Sequence, residues 1–107
     1  MKAITFGILE SKDGNEEALI KLIHEHMDAV KQQPGLKEGY VARAKGSPNK
    51  FLVASVWENE EAQQAAMVKL SGEPGAARNF LEMMQVLKGQ PDFGNYLVES
   101  ISNTSSE

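Results

Sequence analysis

FLVASVWENEEAQQAAM, residues 51–67, begins as a strand and ends as a helix. Over residues 51–57 the side chains on both sides of the strand are mostly apolar, a pattern typical of a strand that is covered on both faces. Asn59 then stands where a helix N-cap is preferred, and Glu60 and Glu61 place negative charge at the positive end of the helix dipole. The stretch therefore predicts a strand buried on two sides, followed directly by a helix.

The length and charge of the chain limit the classes of protein that it can represent. Its 107 residues suffice for one domain, which we place at residues 1–101, with a disordered polar tail at residues 102–107. The net charge of −4 does not favour a nucleic-acid or membrane partner. The absence of cysteine excludes disulfides and thiolate metal sites. The N-terminal apolar run is too short for a signal peptide or a membrane span, so we predict a cytoplasmic protein.

Hydrophobic periodicity and turn residues predict the elements on either side of the opening stretch. The predicted strands cover residues 3–10, 36–44 and 93–101, and the predicted helices cover residues 16–33 and 76–87. Asn15 is predicted to cap the first helix. Gly7, inside the first strand, indicates either a bulge or tight packing, or else space that is left for a ligand.

The predicted order β-α-β-β-α-α-β is typical of an α+β fold. It matches the ferredoxin-like split β-α-β arrangement, in which helices cover one face of a four-stranded antiparallel sheet. The first and third strands are nevertheless apolar on both faces. Because no element is left to cover the second face, we predict a homodimer in which the sheets of two copies pack face to face.

His26 is one of two histidines in the chain, and it lies within the apolar stripe of the first helix. A histidine in this position is explained either by packing in the core or by a role as a base facing a ligand. Val30 occupies the position one helical turn later, so the spacing gives little support for a metal site.

The stretch PGLKEGYVARAKGSPNKFLVASVWENEEAQQAA, residues 34–66, resembles the core signature of the antibiotic biosynthesis monooxygenase family. The residues that match this signature are Pro34, Gly35, Trp57, Glu58, Glu61 and Ala62. The element order extends the resemblance to about residues 1–101. The resemblance implies a dimeric α/β barrel. It also implies one of the family's activities, which include cofactor-free oxidation of aromatic polyketides, quinol oxidation and haem degradation.

In the family that the sequence resembles, the tryptophan that corresponds to Trp57 lies in a cavity between the sheet and the helices, and the resemblance implies the same position here. The ring of Trp57 could stack on a planar ligand and its indole N–H could bond a ligand oxygen, or the residue could simply fill the core. Polyketide-oxidising relatives carry an asparagine four residues before this tryptophan and a tyrosine six residues after it, where this chain has Val53 and Gln63. Haem-degrading relatives use a histidine on the following helix, whereas residues 58–107 contain none.

These comparisons lead to one preferred function and two alternatives. The preferred function is a cofactor-independent monooxygenase that oxidises a small hydroxylated aromatic of quinol or polyphenol type, without a metal. The alternatives are a non-catalytic dimeric protein that binds a hydrophobic small molecule and, less favoured, a haem-binding or haem-degrading protein. His26 is the predicted base and Trp57 the residue that positions the substrate. The predicted substrate-binding residues are Phe6, Tyr40, Asn79, Phe80 and Met83.

Overall fold

The computed structural model describes residues 1–103 and contains four strands and three helices in that range. The elements are β1 (Ala3–Glu10), α1 (Glu16–Val30), β2 (Leu36–Arg43), β3 (Lys50–Trp57), α2 (Glu60–Ser71), α3 (Pro74–Val86) and β4 (Asp92–Leu97). The strands form one antiparallel sheet in the order β2-β3-β1-β4. This arrangement confirms the predicted α+β, ferredoxin-like fold. Residues 104–107 of the predicted tail lie outside the described residues.

The junction between β3 and α2 forms as predicted. The side-chain oxygen Oδ1 of Asn59 accepts a hydrogen bond of 2.8 Å from the backbone N–H of Ala62. This bond satisfies one of the N–H groups that the first turn of a helix leaves without an intrahelical partner. Glu60 and Glu61 follow in the first turn of α2, where their negative charge interacts favourably with the positive end of the helix dipole.

Asn59→Ala is expected to lower the free energy of unfolding by about 1 kcal/mol, because it removes this cap. Asn15→Ala provides a matched control. Asn15 occupies the predicted N-cap position of α1 but makes no side-chain capping bond. Urea denaturation of both variants would measure the difference. Equal losses in the two variants would contradict the assignment of a stabilising cap to Asn59.

Two elements end three or four residues earlier in the structure than in the prediction. α1 ends at Val30 because Pro34 disfavours helical geometry in Gln33, whose N–H instead closes a tight turn onto the carbonyl of Val30. β4 ends at Leu97 because β1 is its only partner strand within residues 1–103, and β1 begins at Ala3, opposite Leu97. None of the helices in residues 1–103 is long and apolar enough to cross a lipid bilayer.

The three helices pack on one face of the sheet, and the core between these layers has two parts. The first part joins β1 and β3 to α1 and α3, and its buried residues are Leu9, Leu19, Leu22, Ile23, Phe51, Met83 and Leu87. The second part joins the same strands to α1 and α2, and its buried residues are Ala3, Val30, Trp57, Ala66 and Leu70. A space remains between the two parts, and this space is the candidate site described below.

The opposite face of the sheet, which we call the open face, carries large apolar side chains in contact with solvent. Leu52 and Ile8 are cross-strand neighbours on this face and are 41% and 37% exposed. Tyr40 and Tyr96 extend the surface on the two outer strands and are 49% and 60% exposed. This distribution matches the predicted apolar character of both faces, and it leaves an extended surface that one chain does not cover.

Two aromatic–glycine pairs join β1 to the edge strand β4. The pairs Phe6–Gly94 and Gly7–Phe93 are consecutive in the register. The Phe93 ring lies so close to Gly7 that a Cβ atom there would come within 2.8 Å of it, and the Phe6 ring covers Gly94 in the same way. The glycine in β1 is therefore explained by close packing of an aromatic ring, which was one of the two predicted explanations.

Candidate functional site

A cavity of about 390 Å³ lies between the helix-covered face of the sheet and the three helices. Its walls are mainly apolar, and Val53 and Gly7 form part of its floor. Such a volume and lining are typical of sites for small, largely apolar ligands. The side chains that add polar groups to the lining include Thr5, His26, Ser55, Asn79 and Asn95.

His26 lies on the α1 side of this cavity and is partly buried. Burial lowers the pKa of its imidazole from the ordinary value near 6.5, because the charged form is less well solvated there. The imidazole is therefore neutral at pH 7, with a lone pair able to accept a proton. His26 thus lies on the cavity wall, where a base that faces a ligand would have to lie.

α3 supplies three of the predicted substrate-binding residues, and all three line the same cavity as His26. Asn79 donates a hydrogen bond of 2.9 Å from Nδ2 to the carbonyl oxygen of Leu22, which ties α3 to α1. Phe80 is 50% exposed at the edge of the cavity, whereas Met83 is buried. His26, Asn79, Phe80 and Met83 thus form one group, although the roles assigned to them stay predictions.

Trp57 is fully buried in the second part of the core and does not line the cavity. Its indole N–H donates a hydrogen bond of 2.9 Å to the hydroxyl oxygen of Ser55, which does line the cavity. Trp57 therefore packs as a core residue, and its hydrogen-bonded link to the cavity is the hydroxyl of Ser55. Its predicted role in positioning a substrate stays a prediction.

Phe6 and Tyr40 project from the open face of the sheet, because strand side chains alternate and their neighbours in sequence face the helices. The Phe6 ring stacks on Tyr96, with 5.6 Å between ring centroids. Phe6 borders the cavity only as part of the β1 floor, and Tyr40 does not border it. The structure therefore separates these two residues from the group around His26, and their predicted role in binding stays a prediction.

A row of polar side chains crosses the floor of the cavity, and sequence reasoning missed it. Ser55, Thr5 and Asn95 are successive cross-strand neighbours on β3, β1 and β4. The Thr5 hydroxyl donates a hydrogen bond of 2.9 Å to Oδ1 of Asn95, and the buried amide of Gln63 on α2 donates to both residues. Alternation alone places Thr5 and Ser55 on the helix-covered face, but only the strand register brings the three residues into line.

A second space of about 540 Å³ adjoins the cavity, between the C-terminal half of α1 and the N-terminal half of α3. Glu25, Glu73 and Glu82 line this space together with Arg78. His26 lines both spaces and lies at their boundary. Within residues 1–103, no group of three or more histidine, cysteine, aspartate or glutamate side chains is placed to hold a metal ion.

Several solved structures share this architecture at low sequence identity. A proposed antibiotic biosynthesis monooxygenase from Deinococcus radiodurans superposes with a TM-score of 0.80 at 18% identity, covering 97% of this chain and 99% of the other. SnoaB, a cofactor-independent oxygenase from Streptomyces nogalater, gives a TM-score of 0.73 at 15% identity over 94% and 97% of the two chains. A Nitrosomonas europaea protein of unknown function gives 0.73 at 21% identity over 98% and 96%.

These structural similarities establish the fold, whereas the reaction of a protein depends on its site and does not follow from a shared fold. Comparison with curated protein sequences gives no match. The family model for antibiotic biosynthesis monooxygenase matches residues 8–68, which is more than half of the 107 residues. With the shared fold and the sequence signature at Trp57 and Glu58, this match shows that the chain belongs to the antibiotic biosynthesis monooxygenase family.

Proposed function

We propose that the protein is a cofactor-independent monooxygenase that oxidises a small hydroxylated aromatic compound. The observation that carries the proposal is the position of His26, a partly buried imidazole on the wall of a mainly apolar cavity of about 390 Å³. Membership of the family and the similarity to SnoaB, a cofactor-independent oxygenase, support an oxidation by O₂. The apolar lining favours a flat, uncharged ring system.

The proposed chemistry needs no reductant other than the substrate. His26 accepts a proton from a ring hydroxyl, and the resulting anion transfers one electron to O₂. The two radicals combine at a ring carbon to form a peroxide anion, which takes the proton held by His26 and becomes a hydroperoxide. The O–O bond then breaks as the hydrogen on the same ring carbon is lost, which releases water and leaves a carbonyl group. For 1,4-dihydroxynaphthalene, the balanced result is 2-hydroxy-1,4-naphthoquinone and one water molecule for each O₂ consumed.

The other cavity residues would hold the ring and exclude water from the reacting atoms. Met83 and Val53 provide apolar contact, and the half-exposed Phe80 is placed to cover the ring at the cavity edge. Asn79, fixed through its Nδ2 on the Leu22 carbonyl, would present its side-chain oxygen towards the cavity. An apolar site of this kind keeps the imidazole neutral and therefore able to act as a base.

The proposed function can be tested with purified protein and 1,4-dihydroxynaphthalene in air-saturated buffer. We expect oxygen uptake and quinone absorbance to rise together above the uncatalysed rate, with one O₂ consumed for each quinone and no effect of added catalase. Heat-denatured protein provides the control for trace metals. Binding of the quinol without any acceleration of its oxidation would contradict the proposal.

A non-catalytic binding protein is the second candidate, and two positions favour it. Val53 lies on the cavity floor where polyketide-oxidising relatives carry an amide, and the amide of Gln63 is already engaged by Thr5 and Asn95. The oxygen-uptake assay distinguishes the two candidates directly. Quenching of the fluorescence of Trp57, the single tryptophan of the chain, without oxygen uptake would identify a binding protein.

We also propose that two copies pair through the open face of the sheet. An exposed apolar surface of this extent is unusual for a monomer, and packing against an identical sheet would cover it. The pairing would place the cavities of the two subunits on the outer sides of the paired sheets. The predicted cytoplasmic location stays a prediction.

Leu52→Lys is expected to raise the dimer dissociation constant at least about tenfold, because it removes a leucine that the proposed pairing would bury and places a charge at the interface. Val68→Lys is the matched control, since Val68 is 73% exposed on α2, away from the open face. Analytical ultracentrifugation across micromolar concentrations would measure both variants. A wild-type chain that sediments as a single 11.7-kDa subunit would contradict the proposed pairing.

A further inference from the structure

The hydroxyl oxygen of Ser55 accepts a hydrogen bond from the protein, while the hydroxyl hydrogen has no assigned acceptor among the described side chains. An indole N–H can only donate, so the 2.9 Å contact with Trp57 makes the Ser55 oxygen an acceptor. Trp57 is fully buried, which holds this bond in one geometry. The hydroxyl hydrogen of Ser55 must therefore point away from Trp57. The bond from the indole N–H restricts the directions that this hydrogen can take.

The surroundings of Ser55 leave the cavity as the place for that hydrogen. The bond from Trp57 is the one side-chain hydrogen bond that Ser55 makes among residues 1–103. On one side, the neighbouring hydroxyl of Thr5 is engaged by Gln63 and Asn95. On the other side lies Gly39, which has no side chain. The methyl group of Met27 occupies the space that a side chain at Gly39 would take. Ser55 is 6% exposed and lines the cavity.

We propose that Ser55 donates a hydrogen bond to an oxygen atom of the aromatic ligand, and that Trp57 is the positioning residue that orients this hydroxyl. The inference rests on the proposed function, since it takes the ligand to be a hydroxylated ring in this cavity. It narrows the substrate class to rings with one oxygen directed at the sheet and another within reach of His26 on the helix side. A fixed donor at the first oxygen would stabilise the negative charge that forms on removal of a proton.

Two probes that differ by one oxygen atom, naphthalene and 1-naphthol, test this inference. We expect Ser55→Ala to weaken the binding of 1-naphthol by about three- to tenfold, the effect of losing one neutral hydrogen bond. The affinity for naphthalene should not change, since it has no oxygen to accept the bond. Equilibrium dialysis would give both dissociation constants, and comparing the two probes cancels effects of the substitution on cavity size.

Ser71→Ala is the matched control for loss of a hydroxyl at the cavity edge. The Ser71 hydroxyl already donates a hydrogen bond of 2.9 Å to the carbonyl oxygen of Val68, so its removal should leave the preference for 1-naphthol as it is. In addition, the single indole N–H resonance of Trp57 should shift on addition of 1-naphthol to the wild type. Naphthalene should shift this resonance less, because its ring current acts in a similar way but it cannot polarise the Ser55 hydroxyl.

Ser55→Ala leaves the buried N–H of Trp57 without an acceptor and could prevent folding. The same comparison is therefore made between Trp57→Phe and the double variant Trp57→Phe/Ser55→Ala, in which both partners are apolar. Ser55 can still donate in Trp57→Phe but is no longer oriented, so the loss of affinity for 1-naphthol should be smaller than between the wild type and Ser55→Ala. Equal affinity of 1-naphthol for the variants with and without Ser55 would overturn the inference. If the quinol is oxidised in that case, the proposed function stands alone. If neither probe binds and no quinol is oxidised, both proposals fail.

Discussion

His26→Ala is expected to lower kcat for quinol oxidation by about 10²- to 10⁴-fold, which is the usual contribution of a general base. KM should change much less, because the apolar walls of the cavity remain. His24→Ala is the matched control. His24 is an exposed histidine on the same helix and lines neither of the two spaces around His26. Oxygen uptake under steady-state conditions would measure both variants.

The pH dependence of the wild type and of the alanine variant distinguishes a base from a packing residue. Burial lowers the pKa of His26 below 6.5, so the imidazole stays neutral at pH 7 and becomes protonated only at a lower pH than an exposed histidine. Activity should therefore fall as the pH decreases through this lowered pKa, and His26→Ala should lack that limb. Added imidazole should restore part of its activity. Unchanged turnover in His26→Ala would remove the base from the proposed mechanism.

The same shift has a consequence for stability. The unfolded chain binds a proton at His26 near pH 6.5, whereas the folded chain does so only at a lower pH. Stability from this residue is therefore unaffected above pH 6.5 and decreases as the pH falls below that value, because the unfolded state then binds more protons. The decrease should be absent in His26→Ala.

Trp57→Ala is expected to lower the free energy of unfolding by about 3–5 kcal/mol, as is usual for removing a large aromatic side chain from a core. Trp57 is fully buried against Ala3, Val30, Ala66 and Leu70, so its loss would leave a cavity at the contact of three elements. A typical domain is stable by about 5–15 kcal/mol, and the variant could therefore lose most of its stability. Urea denaturation followed by circular dichroism would measure the change.

Trp57→Phe is the comparison that separates packing from function. It keeps an aromatic ring in the core and removes the N–H that orients Ser55. We expect a smaller loss of stability than in Trp57→Ala, together with weaker discrimination between 1-naphthol and naphthalene. A Trp57→Ala variant as stable as the wild type would show that the residue is not a main support of this part of the core.

Local patterns in the sequence predicted most of the fold. The apolar strand at residues 51–57 and the cap at Asn59 are properties of neighbouring residues, and the structure has both. The end of β4 was predicted wrongly, because it depends on where β1 begins to offer a partner. The N-cap position at Asn15 was predicted correctly, but a favourable residue type does not guarantee the backbone geometry that a side-chain capping bond needs.

The candidate site could be predicted only in part, for a similar reason. His26, Asn79 and Met83 come together because each lies on the inner face of a helix, and helical spacing predicts that face. Ser55 and Asn95 belong to different strands, and their alignment through Thr5 depends on the pairing register, which the sequence alone does not provide. Phe6 was grouped with the cavity by residue type, although its ring lies on the open face.

The aromatic–glycine pairs between β1 and β4 determine which residues can meet on the cavity floor. A shift of the edge strand by two residues would keep the same side chains on each face but would set Asn95 opposite Ala3 or Gly7 instead of Thr5. Such a shift would also remove both rings from the glycines that accommodate them. Phe93 and Gly94 thus fix the register that sets Asn95 opposite Thr5, although neither of them takes part in that polar contact.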